Sequence, residues 1–109
     1  MIYQVSLKST FAPVMKFVVA PTIDICYNHF RESDRKILSV SEMDYELILN
    51  NKETQVCYIV FLTDSHTNHR YKYIIFDTFP NVIDWIYKQE DVEVESIQRQ
   101  FRELVILEL

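Results

Sequence analysis

The chain has 109 residues, a formal net charge of −5 and 49% hydrophobic residues. That is one domain's worth of ordinary globular composition, which excludes a disordered chain and argues against direct nucleic-acid binding, since that needs a basic stripe. Glycine is absent, where ordinary usage of about 7% predicts roughly eight; a glycine-rich phosphate cradle is therefore excluded, and left-handed turn positions fall to Asn or Asp.

Met1 to Lys8 alternates, with Tyr3, Val5 and Leu7 opposite Gln4, Ser6 and Lys8. This predicts a strand. Ser9 to Pro13 is a loop, and Val14 to Ala20 a second strand that pairs with the first as a hairpin. At Ala20-Pro21-Thr22 the period changes. Ile23, Cys26, Tyr27 and Phe30 then fall on one helix face, with Thr22 as its cap. Ser33-Asp34-Arg35-Lys36 ends that helix in a polar turn. The apolar stretch from Phe11 to Tyr27 carries Lys16, Asp24 and two prolines, too many interruptions to span a bilayer. Nothing resembles a secretory signal. The expectation is a cytoplasmic protein with no membrane contact, in which Cys26 and Cys57 are free, buried thiols.

The middle of the chain, Ser41 to Phe79, reads as a three-stranded meander. Met43, Tyr45, Leu47 and Leu49 alternate with Glu42, Asp44, Glu46 and Ile48. Ser39 to Glu42 and Ser41 to Asp44 also read as capping boxes, so a helix over this segment is the alternative; the alternation over seven residues favours the strand. Asn50-Asn51-Lys52-Glu53 would be the hairpin turn, with asparagine in the left-handed position. Val56 to Leu62 is apolar throughout, as a central strand covered on both faces should be. Thr63 to Arg70 is a polar turn, and Tyr71 to Phe76 a third strand rich in aromatic and β-branched residues.

Phe79-Pro80-Asn81 changes the period again. Val82, Ile83, Trp85 and Ile86 mark a helix from near Asn81 to about Gln89, with Trp85 packed on the sheet. The acidic run Glu90 to Glu95 would open a last helix, because Val94, Ile97, Phe101, Leu104 and Val105 repeat at helical spacing. Leu104 to Leu109 reads equally as a terminal strand. No internal repeat is evident. The expected fold is a single compact α+β domain over residues 1–109. It has a mostly antiparallel sheet, element order β-β-α-β-β-β-α-α with a C-terminal strand as the variant, and helices packed on one face.

Asp64, His66 and His69 form the one polar cluster of ligand type, in a turn. With Asp77 at a strand end they make the set that a small metal-assisted hydrolase or nuclease would use. A solvated loop is the plainer reading. Arg70-Tyr71-Lys72-Tyr73 could stack single-stranded bases, but two basic residues are a poor footprint. Glu42, Asp44 and Glu46, together with Glu90, Asp91, Glu93 and Glu95, would present carboxylates to a basic partner if they share a surface, as an acidic nucleic-acid mimic does. Seven tyrosines and seven phenylalanines leave aromatic side chains over for an interface. The leading expectation is a non-enzymatic protein-binding regulator or inhibitor with no cofactor, and a homodimer is compatible with it. In general character the compact, glycine-free, tyrosine-rich acidic chain resembles small accessory proteins encoded by phages.

Overall fold

The computed structural model describes residues 1–31, 35–51 and 54–107. Eight strands and two helices follow in the order β1 (Ile2–Leu7), β2 (Val14–Val19), α1 (Ile23–Arg31), β3 (Ile37–Met43), β4 (Glu46–Leu49), β5 (Val56–Asp64), β6 (Arg70–Phe76), α2 (Phe79–Tyr87), β7 (Val92–Phe101) and β8 (Glu103–Ile106). They form two compact units, Met1–Asp44 with Arg102–Leu109, and Tyr45–Phe101. The fold is mixed α+β, with two four-stranded sheets in place of the single expected sheet. The turns expected at Ser33–Lys36 and Asn50–Glu53 lie partly outside the described residues, as does the end of the terminal strand; the second is not a hairpin turn, because β4 pairs with β6 and not with β5.

In the first unit the sheet order is β3-β1-β2-β8. β1 and β2 form the expected antiparallel hairpin, β3 returns antiparallel beside β1, and β8 lies parallel to β2. Alternation places Tyr3, Val5 and Leu7 on one face of β1, where they join Val18, Ala20, Cys26 and Phe30 in a buried cluster. Each such aliphatic side chain contributes about 1.5–3 kcal/mol on burial. Thr22 accepts the Ile25 N–H at the start of α1. Cys26 and Phe30 are the buried helix residues, whereas Ile23 and Tyr27 are exposed. The helix is thus rolled so that Ile25 reaches the core in their place.

The second unit has the order β4-β6-β5-β7. β5 and β6 form a hairpin, β7 returns antiparallel beside β5, and β4 lies parallel to β6. Tyr58, Val60, Leu62, Ile75 and Val82 are the buried cluster under α2, with Trp85 and Ile86 packed against it. On the opposite face of this sheet Cys57, Ile74 and Phe76 are also buried. Neither cysteine is in a disulfide and both are buried, and burial pushes the Cys26 thiol up.

Three sequence expectations are corrected. Residues 41–49 are extended, but they are not one strand and not part of a meander. The chain leaves one sheet at Met43 and enters the other at Glu46. Asn50 and Asn51 donate their N–H groups to the Phe76 carbonyl, which ties this end of β4 to β6. The segment after Glu90 is not a helix but β7 and β8. Helical spacing arose there because a bulge at Glu95 shifts the strand's parity between Val94 and Ile97. The break at Arg102 shifts it again before Leu104. β5 supplied a whole antiparallel edge for this segment, and hydrogen bonding along that edge overrides the local period. Lastly, a repetition is visible in the topology where none was evident in the sequence. Each unit is a hairpin, a helix and a return strand beside the hairpin's first strand, completed by a short parallel strand beside its second.

Candidate functional site

The Thr63–Arg70 connection is a tight turn. The Asp64 carboxylate accepts the N–H groups of His66 and Thr67 at 2.8 and 3.0 Å. Those backbone bonds, Thr67 before His66, hold its carboxyl below the usual range. Asn68 takes the left-handed position at φ 61°, as Asp91 does at φ 57° before β7, so the places of missing glycine fall to Asn and Asp. His66 lies 3.6 Å from Asp91, and the His69 ring meets Tyr71 edge-on. Asp77 sits past the far end of β6, roughly 20 Å along the strand at about 3.3 Å per residue. It does not join this turn. Among the described residues no three His, Cys, Asp or Glu side chains gather closely enough to hold a metal ion.

Asp77 has structural work instead. It is buried and accepts the Thr78 N–H at 2.7 Å, the Asn81 amide at 2.9 Å and the Asn50 amide at 3.0 Å. It therefore ties the start of α2 to the end of β4. Burial opposes its charge, but the bonds from Asn81, Thr78 and Asn50 prevail and hold the carboxyl below the usual range.

The seven surface acids divide. Glu42 and Asp44 belong to the first unit, and Glu46, Glu90, Asp91, Glu93 and Glu95 to the second. Within the second unit Glu46 is on one edge strand, while Glu93 and Glu95 are on the opposite edge strand. Three strand spacings, about 14 Å, separate them. Glu95, the bulge residue, is already engaged by the Thr63 hydroxyl and by Arg70 at 3.1 Å. The Thr63 hydrogen bond first, then Arg70, hold its carboxyl low.

Two hollows were not foreseen. In the second unit Tyr58, Phe79, Ile97 and Arg99 line an open hollow of about 430 Å³. The strand register sets Arg99 beside Tyr58 and Ile97 beside Val60 on the face that carries α2. Phe79, the first residue of α2, brings its ring centroid to 5.5 Å from that of Tyr58. Phe79 is 49% exposed, and Phe101, two residues beyond Arg99 on the same face, is 70% exposed. An apolar floor with a guanidinium on its rim suits an apolar or aromatic side chain next to an acidic one. The sequence hides this place because the spacing of residues 94–105 predicts a helix with Phe101 in its core stripe. In the first unit Lys8, Ser9, Thr10, Arg35 and Lys36 line a hollow of about 460 Å³. It gathers three of the chain's eleven basic residues and suits an anionic group.

No protein family, curated protein or solved structure matches this chain. Among the described residues no helix is long and apolar enough to cross a membrane.

Proposed function

We propose that this protein is a non-enzymatic, protein-binding regulator or inhibitor, and that its second unit makes the contact through the hollow of Tyr58, Phe79, Ile97 and Arg99. The observation that carries this reading is the exposure of two phenylalanines, Phe79 in the hollow that Arg99 lines and Phe101 two residues beyond Arg99 on β7. Exposed aromatic and Arg side chains around a concave apolar floor are the composition of interface anchor points. The partner would offer an apolar side chain flanked by a carboxylate.

The test is cross-linked capture from the native host's lysate, comparing the wild type with Arg99→Glu, Phe101→Ala and a His66→Ala/His69→Ala double variant. The wild type and the double histidine variant should capture the same protein, and the other two should lose it. Equal capture by all four would remove the hollow from consideration. A metal-assisted activity drawing on Asp64, His66, His69 and Asp77 would show instead as zinc binding in calorimetry that the double histidine variant abolishes.

A further inference from the structure

The two units correspond at the positions of the core face and at their irregularities. Tyr3, Val5 and Leu7 of β1 recur in order as Tyr58, Val60 and Leu62 of β5, and all six are buried on the helix-bearing face. Val18 beside Tyr3 corresponds to Ile75 beside Tyr58. Cys26 and Phe30 on α1 correspond to Val82 and Ile86 on α2, and each helix follows a threonine, Thr22 or Thr78. Val40 lies beside Val5 as Ile97 lies beside Val60.

The irregularities correspond as well. The return strand β3 bulges where its partner passes from Ser6 to Leu7, and β7 bulges where its partner passes from Phe61 to Leu62. A serine follows each bulge, Ser39 or Ser96. The short parallel strands read Glu46-Leu47-Ile48-Leu49 and Glu103-Leu104-Val105-Ile106. Immediately after each, one N–H closes on the last carbonyl of the neighbouring strand: Asn50 on Phe76 in one unit, Leu107 on Val19 in the other. The step between equivalent positions is close to half of the 109 residues throughout. A shared bulge, a shared terminal hydrogen bond and a shared core pattern are not required by the connectivity alone.

The short strands are exchanged. β4 follows β3 of the first half of the chain but completes the sheet of the second unit. β8 follows β7 of the second half but completes the sheet of the first. The residue at each crossing makes a cation–π contact in the unit it enters. Lys72 lies 5.9 Å from the Tyr45 ring centroid, and Arg102 lies 5.9 Å from that of Phe17.

We propose that this chain is a fused, strand-exchanged dimer. Its two halves are one duplicated ββαββ module, and the partner each half requires is a second copy of that module, which supplies the parallel strand beside β2 or β6. The edge of β2 is then a docking site for an extended segment of the type Glu-Leu-Val-Ile, and the edge of β6 for Glu-Leu-Ile-Leu. In the first unit Lys16 selects the leading glutamate through its 2.6 Å ion pair with Glu103.

Two full-chain experiments test this. The first places a protease recognition sequence in the link between β4 and β5 and cuts the folded protein there. The cut halves should remain a one-to-one complex of the uncut mass, and their thermal midpoint should rise by about 5 °C per tenfold increase in concentration. Halves that separate in native buffer, or a midpoint independent of concentration, would overturn the exchange. The second is a circular permutant that begins at Gln55, joins Leu109 to Met1 and ends at Asn51. If the halves are equivalent, the new link has the same task as the old one, crossing one strand within a sheet. Made with a short and a long spacer, at least one permutant should keep a cooperative transition within about 5 °C of the parent. Loss of cooperative unfolding with both spacers would overturn the equivalence.

Discussion

Tyr3 and Tyr58 hold the same position in the two units, and the residues around them differ in charge. Beside Tyr3 the return strand places Glu42, and beside Tyr58 it places Arg99. The helix in the first unit opens with Ile23, and the helix in the second with Phe79. Burial, and after it the nearby Glu42 charge, push the Tyr3 phenol up. Around Tyr58 the same geometry gives an apolar hollow rimmed by a cation. The core faces keep Tyr, Val and Leu in both units because packing tolerates little change there. The outer positions are free to diverge. The two units therefore share a core and differ in the charge and apolar surface around the equivalent tyrosines.

The largest test of that comparison lies in the cores. Leu7 and Leu62 are equivalent and equally buried, so Leu7→Ala and Leu62→Ala should each cost about 2–5 kcal/mol in urea unfolding. The two values should agree closely; a full loss for one and none for the other would break the equivalence.

Asp77 sharpens the comparison, because between the last strand residue and the threonine before the helix the first unit has Ala20-Pro21 where the second has Asp77. Asp77→Asn should cost about 2 kcal/mol at neutral pH, the usual scale for a charged hydrogen-bonded acceptor. Its carboxyl is held low in the folded protein, so its contribution is complete above the unfolded value near about 4 and is lost as pH falls through the lower folded value. The variant should therefore show a shallower loss of stability below that pH than the wild type.

Smaller effects follow in the turns and at the exchanged strands. Asn68→Val should cost about 1–2 kcal/mol, because a β-branched residue resists the left-handed region, whereas Asn68→Gly should be nearly neutral. Glu103→Gln removes the exposed ion pair to Lys16 and should cost about 1 kcal/mol or less. Glu46→Gln, whose cross-strand neighbour is Tyr73, should cost less still, measured in the same urea titrations.

Much of the local structure was legible in the residues. The alternation in 1–8, the apolar runs at 14–20 and 56–62 and the aromatic and β-branched residues of 71–76 predict the strands of both hairpins, and the helical spacing after Thr22 and Pro80 predicts both helices. The absence of glycine predicts that left-handed backbone falls to Asn or Asp, and Asn68 and Asp91 take it. The candidate hollow was not legible, since it depends on the register of β7 against β5. The duplication was in the sequence as Tyr-x-Val-x-Leu and Glu-Leu-β-branched, but it was hidden by divergence at most other positions.

What the sequence determined by itself, outside residues 92–106, was which residues are extended or helical, because that follows from side-chain period and local sterics. Only the tertiary structure decided which edges pair, that β4 and β8 run parallel in sheets built by the other half, and that 92–106 is strand. A backbone edge is satisfied by hydrogen bonds to a segment distant in sequence, and no local pattern records the identity of that segment.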